Sequence, residues 1–204
     1  MQTIIFEKKD YSQIIPLFFN DEVIAIPTDT VMGLACLARS EKAYQKLVEV
    51  KGRPTNKAFA MAVPSVDMLY SYGKINAQQR RIVETFLPGP LTIVVLKQEN
   101  IQDYVTAGSK TIALRVVPEP VVAEVLTSLQ EPILLTSANM SGQPSLLTSA
   151  EVEKVFNEKI RGIIAGDAGS GLATTVVDLT GKEPKILREG AISLKEIKEV
   201  WGTK

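Results

Sequence analysis

The chain has 204 residues, 45% hydrophobic and 23% charged, with 23 Lys and Arg against 23 Asp and Glu. That is enough apolar side chain to bury a sizeable core, while zero formal net charge argues against a broad nucleic-acid face and leaves room only for a local basic pocket. With no His and one Cys, a His-containing triad, a Cys-His pair, a His/Cys zinc site and a disulfide scaffold are all excluded, and Ser-Lys chemistry stays open.

Thr3 to Phe6 reads as a strand, followed by a helix opened by Asp10 with Gln13 three positions on, the spacing of a capping box. Its flank Met1 to Glu7 lacks the basic and apolar regions of a signal peptide. No apolar run approaches about 18 residues, so neither secretion nor membrane spanning is expected. Glu22 to Ile26 is the next strand and delivers the polar segment Pro27-Thr28-Asp29-Thr30-Val31-Met32-Gly33-Leu34. Cys36 follows in an apolar stretch and reads as a small buried hydrophobe, suited to a reducing cytosol.

Ser40 caps a helix whose Ala43, Leu47 and Val50 share a face, and Lys51-Gly52-Arg53-Pro54 ends it with two cations on a loop. Ala58 to Val63 is a strand, and Pro64-Ser65 starts a short helix. Asn76 with Gln79 opens another helix, stopped by Pro88-Gly89-Pro90. Leu91 to Leu96 and Thr111 to Val116 are β-like, while Pro120 to Leu129 carries Val121, Val125 and Leu129 at helical spacing. Ile133-Leu134-Leu135 leads into a second polar segment, Thr136-Ser137-Ala138-Asn139-Met140-Ser141-Gly142. Two further capping pairs, Thr148 with Glu151 and Ser193 with Glu196, bracket apolar runs at Gly162 to Ala165 and Val176 to Leu179.

No linker, tandem repeat or low-complexity block interrupts this alternation, so one α/β domain over residues 1–204 is expected. Some strands are joined by short segments and others by spans long enough for a crossover helix. A twisted mixed parallel/antiparallel sheet flanked by helices follows. The two polar segments, each at the end of an apolar run, form a ligand-binding rim.

Four cations lie near turns. Lys51 and Arg53 flank a glycine, so an ammonium and a planar guanidinium can approach one anion; the plain alternative is a solvated surface pair. Strand alternation puts Ala113 and Arg115 on one face, with Ile112, Leu114 and Val116 on the other. Arg115 then either binds a small carboxylate or makes a structural ion pair. Taken alone, Arg188 reads as surface charge. Gly166-Asp167-Ala168-Gly169-Ser170-Gly171 lacks the closing Lys-Ser/Thr of a P-loop and opens no helix, so it reads as a flexible turn. Ser137 and Asn139 supply a hydroxyl and an amide around a nucleotide or amino acid.

Taken in order, the segments at 27–34, 51–54, 136–142, Pro88-Gly89-Pro90-Leu91-Thr92, Thr174-Thr175-Val176-Val177-Asp178 and Leu187-Arg188-Glu189-Gly190-Ala191-Ile192 resemble the YrdC-like family, which includes bacterial threonylcarbamoyl-AMP synthases. The resemblance implies a concave, positively charged cavity in the short, single-domain form. It also implies ATP-dependent joining of L-threonine and bicarbonate or CO2 into L-threonylcarbamoyl-AMP, with release of pyrophosphate. That product would supply a separate tRNA threonylcarbamoyl-transfer machinery in the cytoplasm, with room for a weak direct tRNA contact. Mg2+ would accompany ATP, with no tightly bound protein metal.

By the same resemblance Lys51, Arg53, Ser137 and Asn139 form the catalytic and nucleotide-binding tetrad, and Arg188 is a further nucleotide-binding arginine. Arg115 matches the arginine for the threonine carboxylate, and Thr28 and Thr174 belong to the substrate end. Thr174 stands where the family often has Ser and Met32 where an aromatic is common, and the segment Val117-Pro118-Glu119-Pro120 lacks a frequent His. A related enzyme making a different carbamoyl-adenylate, and a noncatalytic nucleotide- or RNA-binding member of the fold, are the alternatives.

Overall fold

In the computed structural model, which describes residues 2–54 and 56–202, the apolar runs pair into one mixed sheet covered on both faces. Its strands are β1 (Ile4–Phe6), β2 (Ile24–Ile26), β3 (Gly33–Leu37), β4 (Ala60–Ala62), β5 (Gly73–Lys74), β6 (Leu91–Lys97), β7 (Thr111–Arg115), β8 (Ile133–Ser137), β9 (Gly162–Ile164), β10 (Thr175–Asp178) and β11 (Lys185–Arg188). They lie in the order β1-β9-β2-β3-β8-β4-β7-β6-β10-β11, with β5 beside β6. β9 runs parallel to β1 and β2, β7 to β4, and β10 to β6. At the centre β3 and β8 are antiparallel, from Gly33 opposite Ser137 to Leu37 opposite Ile133. This register sets the end of the first polar segment beside the second.

The central strands read as unbroken apolar runs because neither face is wet. Leu34 and Cys36 of β3 enter one core with Met61 and Leu134, while Ala35 and Leu37 enter the other with Ile133 and Leu135. Burial pushes the Cys36 thiol far above its ordinary pKa, so it packs as the expected small hydrophobe. On the first face lie α2 (Glu41–Lys51), α4 (Ala77–Phe86), α6 (Ser149–Phe156) and α7 (Leu194–Gly202); on the second lie α1 (Ile15–Phe19) and α5 (Pro120–Leu129). The remaining short helix, α3 (Val66–Leu69), is capped by Ser65.

Most helix starts are where the capping residues put them. Ser40 accepts from the Ala43 amide at 3.1 Å, and Asn76 with Gln79 and Thr148 with Glu151 form complete capping boxes. The start expected at Asp10 is not one of them. Lys8–Ile14 is a 3-10 segment with Asp10 inside it at φ −96 and ψ 16, and no side chain caps it. The α-helix begins only at Ile15, because Pro16 has no N–H to donate and fits just the first turn. Strands β3, β5 and β11 were not among the sequence expectations. β5 has only two residues and β11 is largely exposed, so neither carries a buried apolar period.

Leu134 is wholly buried on β8, between β3 and β4. Leu134→Ala is expected to cost about 2 to 5 kcal/mol through lost contacts and a residual cavity. A lowered urea midpoint with an unchanged slope checks it.

Candidate functional site

Small side chains on adjacent strands open a space at the rim. Gly33 of β3, Ala60 and Ala62 of β4, and Ala113 of β7 border a cleft of about 810 Å³, counted to its open mouth. A Cβ on Gly33 would stand 2.7 Å from Leu135 Cδ1 and 3.3 Å from Thr28 Cγ2, so any larger residue there would push the Leu135 side chain aside. Ala113 and Arg115 both border the cleft while Ile112 and Leu114 enter the core, as alternation predicts.

The loop carrying Thr28 is tied from within and from behind. Thr28 Oγ1 donates to the Val31 carbonyl at 2.6 Å and accepts from the Thr30 amide at 3.2 Å. The amides of Gly169, Ser170 and Gly171 donate to the carbonyls of Thr28, Asp29 and Thr30 at 2.9, 3.0 and 2.8 Å. The glycine-rich segment is therefore a strap pinned by three backbone bonds rather than a flexible turn. A Cβ on Gly169 would collide with the Asp29 carbonyl.

Arg115 is 6% exposed. Its Nη2 donates to Asp29 Oδ1, and its Nε is buried with no partner among the described residues. The structural ion pair of the sequence reading is thus present, and Arg115 also borders the cleft. Burial lowers the guanidinium pKa, and Asp29 opposes that shift.

Lys51 and Arg53 divide at Gly52, whose φ of 57 turns the chain. Lys51 turns inward, 2% exposed, and donates to the Ser137 carbonyl and to Asn139 Oδ1, both at 2.5 Å. Ser137 Oγ also donates to Asn139 Oδ1, at 2.7 Å. The Asn139 amide donates to the carbonyls of Met140 and Gln143 at 3.0 and 2.6 Å. Arg53 stays on the cleft wall, held by the carbonyls of Lys57 and Ala58 at 2.9 and 2.8 Å, and lies over the Phe59 ring at 5.0 Å. Arg188 donates to the Thr174 carbonyl at 3.0 Å and to Thr174 Oγ1 at 2.5 Å, so its guanidinium is anchored although the residue is exposed.

Thr28, Arg53, Arg115, Ser137, Thr174 and Arg188 line the cleft, and Lys51 and Asn139 stand behind Ser137. Thr30 and Thr92 also line it, and Asp29 acts on it through Arg115. Sequence reasoning gave these three no individual role, although Asp29 and Thr30 lie in the rim segment and Thr92 in one of the segments that carry the resemblance. The signal for Thr92 was available: one hydroxyl in the apolar run 91–96. Lys51, Arg53 and Arg188 form no ion pair among the described residues. Four cations against the single carboxylate of Asp29 make a site for a ligand with more than one negative charge.

A family model described as Sua5/YciO/YrdC, telomere recombination, matches residues 17–190. A threonylcarbamoyl-AMP synthase of Pyrococcus abyssi is 35% identical over 89% of this chain and 54% of its own length. Another, from Vibrio campbellii, is 31% identical over 89% of this chain and 100% of its own. The structure of Pyrococcus abyssi Sua5 complexed with L-threonine aligns with a TM-score of 0.93 at 32% identity, covering 98% of this chain and 61% of that one. The chain thus spans little more than half of the Pyrococcus protein.

Burial first, and then the charges of Arg53 and Arg188, bring the Lys51 pKa from 10.5 to about 7. Across that window the folded protein binds fewer protons than the unfolded chain, so this residue makes stability rise with pH, with its full penalty below about 7. The wild type is therefore expected to gain more stability than Lys51→Met between about pH 6.5 and about pH 9.5. Urea midpoints of both proteins at the two pH values check the sign.

Proposed function

Because the chain belongs to the Sua5/YciO/YrdC family, we propose that it joins L-threonine, bicarbonate or CO2, and ATP into L-threonylcarbamoyl-AMP, releasing pyrophosphate. The observation that carries this reading is one cleft holding two kinds of anion receptor. Arg115 borders it with one of its donors on Asp29, suited to a small carboxylate, and Arg53 and Arg188 border the same space without acidic partners among the described residues, suited to phosphates. The threonine-bound relative and the synthase names of the related proteins support the same substrates.

In this reading the threonine carboxylate meets Arg115, with Thr28 and Thr174 at the amino-acid end. The amine adds to CO2 and loses a proton, giving a carbamate. A carbamate oxygen attacks the α-phosphorus of ATP, and the bond to the bridging oxygen breaks with its electron pair leaving on pyrophosphate. Arg53 and Arg188 balance the growing charge from fixed positions, Ser137 presents its hydroxyl, and the cleft holds the reactants together. Asn139 orients Ser137 and the Lys51 ammonium. An anion in the cleft raises the Lys51 pKa, so Lys51 takes up its proton as ATP arrives. Mg2+ would come with ATP as part of the substrate, held largely by phosphates and water.

The product is a reactive mixed anhydride and passes to a separate tRNA threonylcarbamoyl-transfer machinery in the cytoplasm. Zero net charge argues against a broad tRNA-binding face and leaves room for a weak direct contact. No helix of the described residues is long and apolar enough to cross a membrane.

Pyrophosphate release is expected only with ATP, threonine and bicarbonate together, with a product carrying the masses of threonine, carbonyl and AMP. Release without threonine would indicate a different carbamoyl-adenylate, and ATP binding without turnover a noncatalytic protein. Arg115→Ala is expected to weaken threonine binding by about 2 to 5 kcal/mol while sparing ATP, and calorimetric titration of each ligand checks the split.

A further inference from the structure

One buried hydroxyl of the cleft lies outside the roles above. On β6, Leu91, Ile93 and Val95 enter the core, and Thr92, on the alternate face, borders the cleft beside β10, opposite Val176. It is 3% exposed. Its one side-chain hydrogen bond among the described residues runs to Thr174 Oγ1 at 3.3 Å, with Thr92 donating. A valine would fill nearly the same volume without a polar group to satisfy, so the hydroxyl is not there for packing.

A hydroxyl has one proton to give and two lone pairs to accept with. Thr174 Oγ1 accepts from Arg188 Nη2 and from Thr92, so both lone pairs are engaged. Its own proton has no acceptor among the described residues, and the residue borders the cleft. Thr174 is thereby fixed as a donor toward the ligand, while the same oxygen and the Thr174 carbonyl hold Arg188.

We propose that Thr92 is a positioning residue: by donating to Thr174 it commits the Thr174 hydroxyl to donate to an oxyanion of the bound amino acid. The inference rests on the threonylcarbamoyl-AMP reading, which supplies that oxyanion as a carboxylate or, after CO2 addition, a carbamate. Without the Thr92 hydroxyl, the Thr174 proton gains a second orientation and the donor is no longer fixed.

Thr92→Val and Thr92→Ser test this through pyrophosphate-release kinetics and thermal unfolding. Thr92→Val is expected to lose about three- to tenfold in kcat/KM for threonine at a nearly unchanged unfolding midpoint, and Thr92→Ser to recover it. A loss in KM alone assigns the donor to the carboxylate, and a loss in kcat as well assigns it to the carbamate. Equal kinetics in wild type and Thr92→Val, or Thr92→Ser as impaired as Thr92→Val, overturns the role. Wild-type protein that binds threonine without releasing pyrophosphate defeats the synthase reading alone. Titration of L-threonine into wild type and Thr92→Val, with ATP present, then decides: a three- to tenfold weaker affinity upholds the role of Thr92, and an unchanged one overturns it. Wild-type protein that binds neither ligand overturns both.

Discussion

The antiparallel ladder between β3 and β8 is the constraint on which the site depends. It sets Gly33 opposite Ser137 and Leu34 opposite Thr136, so two polar segments about a hundred residues apart in sequence emerge at the same rim. Beyond the ladder the pairing continues through backbone bonds: Ala138 N donates to the Met32 carbonyl at 2.6 Å, Met32 N to the Leu146 carbonyl at 3.0 Å, and Leu146 N to the Ala138 carbonyl at 2.9 Å. A slip of one residue would turn Leu34 and Ala35 to the wrong cores and break this stitching at once, so the two-sided apolar burial of β3 enforces the geometry of the rim.

Charge in the cleft is arranged at a cost to the fold. Lys51 is buried against carbonyl oxygens with no carboxylate partner among the described residues, and burial lowers the pKa of Arg53, Arg115 and Arg188 alike. A more stable arrangement would give each cation an acid. Leaving them short of acids pre-orients positive charge for anions, the trade found where local rules yield to a binding site. Asp29 is the exception, pairing with Arg115 through Nη2 while Arg115 still borders the cleft.

Glycines act here through close approach. Gly169 lets the strap reach the Asp29 carbonyl, and Gly190 lets the segment after β11 press onto the backbone of Ala173, Thr174 and Thr175. Thr175 Oγ1 closes that second contact, donating to the Ile192 carbonyl at 2.6 Å and accepting from the Ile192 amide at 2.9 Å. Arg188 owes its aim to this packing, which is why so exposed a residue has a guanidinium held by two bonds to Thr174.

Features under local chemical control were legible in the chain alone. Ser40, Asn76 and Thr148 mark helix starts because their oxygens take orphan amides within three residues; alternation at 112–116 turns Arg115 away from the core; and the polar ends of two apolar runs announce a rim. Only the tertiary structure decided what depends on distant partners. The sheet order, the burial of Lys51 behind Ser137, the pinning of 169–171 and the aim of Arg188 come from backbone and side-chain contacts between segments remote in the chain, which no local period encodes. Asp10 marks the same boundary from the other side: its spacing to Gln13 suggested a capping box, but no side chain caps that segment and the α-helix starts at Ile15, with Pro16 in its first turn.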